Sequence, residues 1–89
     1  MQRTVKMTRQ AQKQFAKLQR PAQKKVAEVV DQLADGIPAN TIKLQGIHAG
    51  YWRTRAGYRH RVIWYVETAE DGTETAVVTW VGDREDVPY

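Results

Sequence analysis

Apolar residues recur along this chain with two different periods, and the change of period divides it. Ala11, Phe15 and Leu18 form one stripe, and Ala22, Val26, Val29, Val30 and Leu33 form a second. Returns every three or four positions place each set on one face of a helix. Thr8 stands where a helix cap is wanted. Pro21 can end the first helix or, as a first-turn residue, open the next. Gly36 followed by Pro38 stops the second. Ahead of both, Thr4-Val5-Lys6-Met7-Thr8 alternates weakly and predicts a short strand.

Residues 37–50 show no period and predict a loop. From Tyr51 the period becomes two, with strands predicted over roughly 51–56, 59–68 and 74–81. Asp71-Gly72 between the last two is a strong hairpin signal. Val62, Trp64 and Val66 share one face, opposite Arg61, Ile63 and Tyr65. By the same parity Ala76, Val78 and Trp80 alternate with Thr75, Val77, Thr79 and Val81. Trp64 and Trp80 are therefore expected in the core, and Trp52 with them. The order β-α-α-β-β-β describes an α+β domain: a helical hairpin packed on one face of a small, mainly antiparallel sheet. Residues 1–89 are expected to form a single domain.

Composition narrows the chemistry. The chain has no cysteine and no serine, which removes disulfides, thiolate metal sites and the common serine or thiol nucleophiles. No apolar run approaches the roughly 18 residues of a membrane span, and the N-terminus lacks a signal-peptide stretch. A cytoplasmic protein without membrane contact is expected. His48 and His60 have no partner at metal-ligand spacing, so neither a metal nor a cofactor is implied.

The formal net charge of +4 is unevenly spread. Residues 1–50 hold nine basic and three acidic residues, and 62–89 hold one basic and seven acidic. Lys13, Lys17, Arg20, Lys24 and Lys25 lie off the helix stripes, as a solvated face would, or as an auxiliary RNA-contacting surface. Glu67, Glu70, Asp71 and Glu74 surround a turn, where solvation accounts for them. Between these regions lies Tyr51-Trp52-Arg53-Thr54-Arg55-Ala56-Gly57-Tyr58-Arg59-His60-Arg61. Its arginines alternate on both sides of Gly57, so a turn there brings Arg53, Arg55, Arg59 and Arg61 onto one sheet face. Like charges across a sheet repel, and arginine's planar fork suits phosphate. The cluster points to an anionic ligand, nucleic acid or phosphate. Tyr65 and Tyr58 are placed to stack on bases. Arg84 follows the last strand and can reach the same face, with Tyr89 five residues beyond.

The chain resembles the RelE/ParE superfamily of bacterial toxins from toxin–antitoxin pairs over nearly its whole length. The resemblance rests on element order, Lys43-Leu44-x-Gly46, the aromatic-Arg-x-Arg-x-Gly run at 52–57, Arg61-Val62-Ile63-Trp64, and Val81-Gly82-x-Arg84 with its nearby Asp-Val and tyrosine. It implies one of two activities, or an antitoxin-binding relative that has lost activity. RelE-like branches cut messenger RNA in the ribosomal decoding site by attack of a ribose 2′-OH on the adjacent phosphate, without metal; ParE-like branches poison DNA gyrase. The arginines favour the first. The resemblance then assigns Arg53, Arg55, Arg61, Arg84 and Tyr89 to catalysis, and Arg59, Tyr58, Tyr65 and Lys43 to RNA contact. Arg59 and Arg61 both remain candidates for the family's single hairpin arginine. It also implies a cognate antitoxin with an acidic segment, alongside mRNA and the ribosome. Arginine stays protonated, so the cluster contains no evident general base.

Overall fold

The computed structural model describes residues 3–88. Strand β1 (Thr4–Met7) leads into helix α1 (Arg9–Lys17) and helix α2 (Arg20–Leu33). Strands β2 (Thr41–Lys43), β3 (Tyr51–Ala56), β4 (His60–Thr68) and β5 (Glu74–Asp83) follow. They form one five-stranded sheet in the order β1-β5-β4-β3-β2, with β1 parallel to β5 and the other pairs antiparallel. The two-layer α+β arrangement is as expected. The short β2 is an addition: three residues within a stretch read as loop are too few to show alternation.

Local chemistry accounts for the helix ends. Thr8 caps α1, its hydroxyl accepting from the Ala11 amide at 3.2 Å. Pro21 lies in the first turn of α2, where its missing N–H costs nothing. No basic residue occupies the last turn of α2, and Arg3 supplies the missing charge from outside. Its guanidinium donates to the carbonyls of Leu33 at 2.8 Å and Gly36 at 2.9 Å, at the end where cations are favoured.

Ala11, Val26, Val29 and Leu33 meet Ala56, Val62, Trp64, Ala76, Val78 and Val81 in the core. Trp64 is fully buried and stacks on Trp52 across the β3–β4 pair, with centroids 5.6 Å apart. Its Nε1–H donates to the Thr54 hydroxyl at 2.9 Å. Thr54 and Thr41 share a hydrogen bond at 2.7 Å, and Thr41 donates to the Pro38 carbonyl at 2.7 Å. Since the Thr41 proton is used there, Thr54 is the donor between them. This relay ties β2 to the centre of the sheet. Thr54→Val keeps the shape but strands a buried indole N–H, a loss of about 1–3 kcal/mol. A fall in melting temperature of roughly 5–20 °C follows for a domain of this size. Thermal unfolding followed by circular dichroism checks it; an unchanged midpoint would show the relay to be dispensable.

Candidate functional site

The helices cover one sheet face, and the arginines occupy the other. In β3 and β4, Arg55 stands directly opposite Arg61, and Arg53 opposite Ile63. Cross-strand partners share a face, so Arg53, Arg55 and Arg61 project together. A depression of about 130 Å³ is lined by all three with Asn40 and Ile42. Asn40 is the one non-glycine residue with positive φ among those described, at 61°, a conformation asparagine tolerates better than most residues. Its carbonyl accepts from the Arg55 amide at 3.1 Å. Sequence reasoning missed Asn40 and Ile42, and the Pro-Ala-Asn turn before β2 was the only signal for them.

Arg61 is the electrostatic centre of the group. Its guanidinium donates to the carbonyls of His60 at 2.8 Å and Tyr58 at 3.1 Å. Its pKa is lowered, first by burial and then by the positive charges of Arg55, Arg53 and Arg84, while Asp83 opposes the shift. The positive charges of Arg55, Arg53 and Arg84 thus all reach the Arg61 guanidinium. Among the described residues, none of the four forms an ion pair. Arg84 follows β5 in a short 3-10 turn, Arg84–Asp86, with its amide bound to the Arg59 carbonyl at 2.6 Å. Its guanidinium lies 4.5 Å from the centre of the Tyr58 ring. What the arrangement offers is a concentrated set of fork-shaped donors, none of them held by a carboxylate among the described residues, suited to phosphoryl oxygens.

No protein-family model matches the sequence, and no curated protein matches it significantly. Solved structures do match. The RelBE2 toxin–antitoxin complex from Mycobacterium tuberculosis superposes with a TM-score of 0.76 at 24% identity, over 94% of this chain and 100% of the other. The archaeal RelE–RelB complex from Pyrococcus horikoshii gives 0.73 at 22% identity, over 98% and 100%. A YoeB/ParE toxin from Agrobacterium tumefaciens gives 0.76 at 15% identity, over 91% and 98%. The fold is that of the RelE/ParE toxins.

Within this RelE-like fold the remaining expected residues divide between the two faces. Tyr65 shares the arginine face and meets Tyr51 edge-on at 5.3 Å. Its hydroxyl donates to Glu67 at 2.9 Å, and that bond, ahead of burial, raises its pKa. Tyr58 is 71% exposed in the hairpin turn beneath Arg84. Lys43 does not join them. It pairs with Trp52 on the helix-side face and places its ammonium 5.6 Å from that ring. Tyr89 lies outside the described residues.

Strand parity also misplaces Arg59. It belongs to the turn, not to β4, so alternation does not govern it. Its guanidinium pairs with Asp83 at 3.0 Å and, with Asp83 and His60, lines a larger cavity of about 510 Å³ between α2 and the hairpin. That cavity is roomier, but its arginine is already neutralised, and it lies away from the three converging guanidiniums. Arg61, not Arg59, is the hairpin arginine that shares the cluster's face.

Asp83 holds the Arg84 turn. Its carboxylate accepts from the Glu85 amide at 2.9 Å and from Arg59. The first of these bonds, and then the second, lowers its pKa from the ordinary 3.8. A depressed folded-state pKa contributes stability that is present above the unfolded value and lost as pH falls through the folded one. The cap is therefore expected to persist down to pH 3.8 and to dissolve only below it. An NMR titration should show the Asp83 carboxyl and the Glu85 amide changing together, with a midpoint under 3.8; a midpoint at or above that value refutes the cap in solution.

Proposed function

We propose that this protein is the toxin of a type II toxin–antitoxin pair and cuts messenger RNA on the ribosome. The observation that carries the reading is the convergence of Arg53, Arg55 and Arg61 on one sheet face, with Arg84 near enough to perturb Arg61 and none of the four in an ion pair among the described residues. In the proposed reaction a ribose 2′-OH attacks the adjacent phosphorus and expels the 5′-oxygen of the next nucleotide. The products are a 2′,3′-cyclic phosphate and a 5′-hydroxyl. The step needs in-line positioning and stabilisation of charge on the phosphoryl oxygens. The guanidiniums supply the second. Tyr89 is assigned to orienting the nucleophile or stacking on a base.

An all-arginine cluster is a poor proton acceptor. The 2′-OH is accordingly deprotonated by a group outside it, for which the ribosome is the proposed source. The same donors suit the carboxylates of an acidic antitoxin segment, which would hold the toxin inactive by occupying the phosphate positions. Two of the similar solved structures are toxin–antitoxin complexes, which supports an antitoxin partner here. No described helix is long and apolar enough to cross a membrane, and the proposed action on ribosomes places the protein in the cytoplasm.

The test is controlled expression in a bacterial host followed by mapping of RNA ends. New 5′-hydroxyl ends within translated codons are expected, and they should vanish when translation initiation is blocked. Intact messages accompanied by gyrase-dependent DNA breaks would overturn the reading in favour of a ParE-like inhibitor.

A further inference from the structure

Trp80 is where the strand pattern fails. Strict alternation along β5 places it with Ala76 and Val78 in the core. The pairing with β4 slips between Ile63 and Trp64, so Trp64 faces Val78 while Ile63 faces Trp80. Thr79 is the extra residue of a β-bulge, and everything beyond it reverses sides. Val81 takes the core position and is buried, while Trp80 turns to the arginine face and is partly exposed.

The bulge has a structural support. β1 ends at Met7, leaving β5 unpaired on that side beyond Val78. The start of α1 fills the gap: the Thr8 amide donates to Val78, its hydroxyl donates to Thr79, and Gln14 accepts from the Val81 amide at 3.0 Å. The Thr79 hydroxyl in turn donates to the Ile63 carbonyl at 3.3 Å. The reversal is thus hydrogen-bonded on both edges of the strand.

The turned indole has a defined bed. A Cβ at Gly82 would lie 2.9 Å from two atoms of the Trp80 six-membered ring, so the ring lies across Gly82 at closer than side-chain distance. Gly82 stands opposite Arg61, and Trp80 opposite Ile63, which pairs with Arg53. Two strand spacings of about 4.8 Å therefore separate the backbone at Trp80 from that at Arg53. The described helices pack on the opposite face, against Val62, Trp64, Ala76, Val78 and Val81. A large aromatic held flat beside a phosphate-binding cluster is the combination that single-stranded nucleic acids use, stacking a base while cations hold the backbone.

We propose that Trp80 is a base-stacking platform for single-stranded RNA, and that it positions a nucleotide whose phosphate lies against Arg53 and Arg61. This rests on the RNA reading above and adds a positioning residue to it. Gly82 in the Val-Gly-x-Arg segment then has a physical role: any side chain there would displace the platform.

The test titrates 2′-O-methyl oligoribonucleotides, which the proposed chemistry cannot cut, into the intact protein and follows tryptophan fluorescence. Trp64 is buried and Trp52 is stacked on it, so quenching should come from Trp80 and vanish in Trp80→Leu. Affinity should fall roughly 5- to 150-fold in Trp80→Leu, as for loss of one stacked base, and should recover in Trp80→Phe. Gly82→Ala keeps the indole but displaces it, and should weaken binding in the same direction. An abasic substitution at one position should weaken binding to the unaltered protein yet add nothing in Trp80→Leu, which a merely structural role would not produce. Unquenched fluorescence, or equal affinities for the unaltered protein and a folded Trp80→Leu, overturns the proposal. Retained message cleavage in that case shows that the RNA reading stands without it; lost cleavage by the unaltered protein removes both.

Discussion

Arg61→Ala is expected to lower the rate of message cleavage about 10²- to 10³-fold while changing the stability of the protein little. Arg61 stands opposite Arg55 and is surrounded by the charges of Arg55, Arg53 and Arg84. On the proposed reading that geometry offers the phosphoryl oxygens several donors at once, and removing one preorganised donor of this kind typically has an effect of that size. The same geometry is unfavourable for folding, because like charges across a strand pair repel. Alanine removes the repulsion together with two hydrogen bonds to turn carbonyls, and these effects oppose each other. Activity and stability should therefore separate: cleavage collapses while the melting temperature moves by a few degrees at most. Arg61→Lys keeps the charge but loses the fork, and should fall between the two. Arg59→Ala is the contrasting substitution. It frees Asp83 without touching the cluster and should reduce cleavage far less. Equal losses for Arg59→Ala and Arg61→Ala would mean that net charge, not the converging geometry, carries the activity.

Trp64→Ala is expected to have the largest effect on stability. The side chain is fully buried at the centre of β4. It stacks on Trp52, lies beneath the Arg3 guanidinium at 5.5 Å, and donates to Thr54. Truncating a buried tryptophan removes about 3–5 kcal/mol. An 89-residue domain has roughly 4–13 kcal/mol in total at 0.05–0.15 kcal/mol per residue. The substitution thus removes between a quarter and all of the stability. Trp64→Phe keeps most of the buried surface but leaves Thr54 without its donor, so it should cost distinctly less. Urea unfolding of the three proteins orders them. A Trp64→Phe variant as unstable as Trp64→Ala would show that the hydroxyl relay, not the packed indole, dominates.

Much of the architecture was legible because it depends on local periods. The helix stripes, the Thr8 cap and the Asp-Gly turn each follow from residues within a few positions of one another. So does the shared face of Arg53, Arg55 and Arg61, once a hairpin is granted at Gly57, where φ of 70° favours glycine. The edge strand β2 escaped notice because three residues carry no period, and its docking depends on Thr54, Trp64 and the Pro38 carbonyl. With it went Asn40 and Ile42 at the rim of the arginine depression. The side that Lys43 takes was not legible for the same reason: it is set by pairing with Trp52, and nothing in a loop predicts a partner.

The sequence by itself determined two helices, the main strands and one face rich in arginine, since amphipathic period is a property of neighbouring residues. Only the tertiary structure decided which aromatic and which arginine belong to that face. Arg59 left it because the turn ends one residue later than alternation assumed, and Asp83 held it there. Trp80 entered it because α1 supplies hydrogen bonds to β5 exactly where β1 stops, permitting a bulge that reverses every residue after Thr79. Both outcomes depend on partners far away in the chain, and a period counted along one strand carries no record of them.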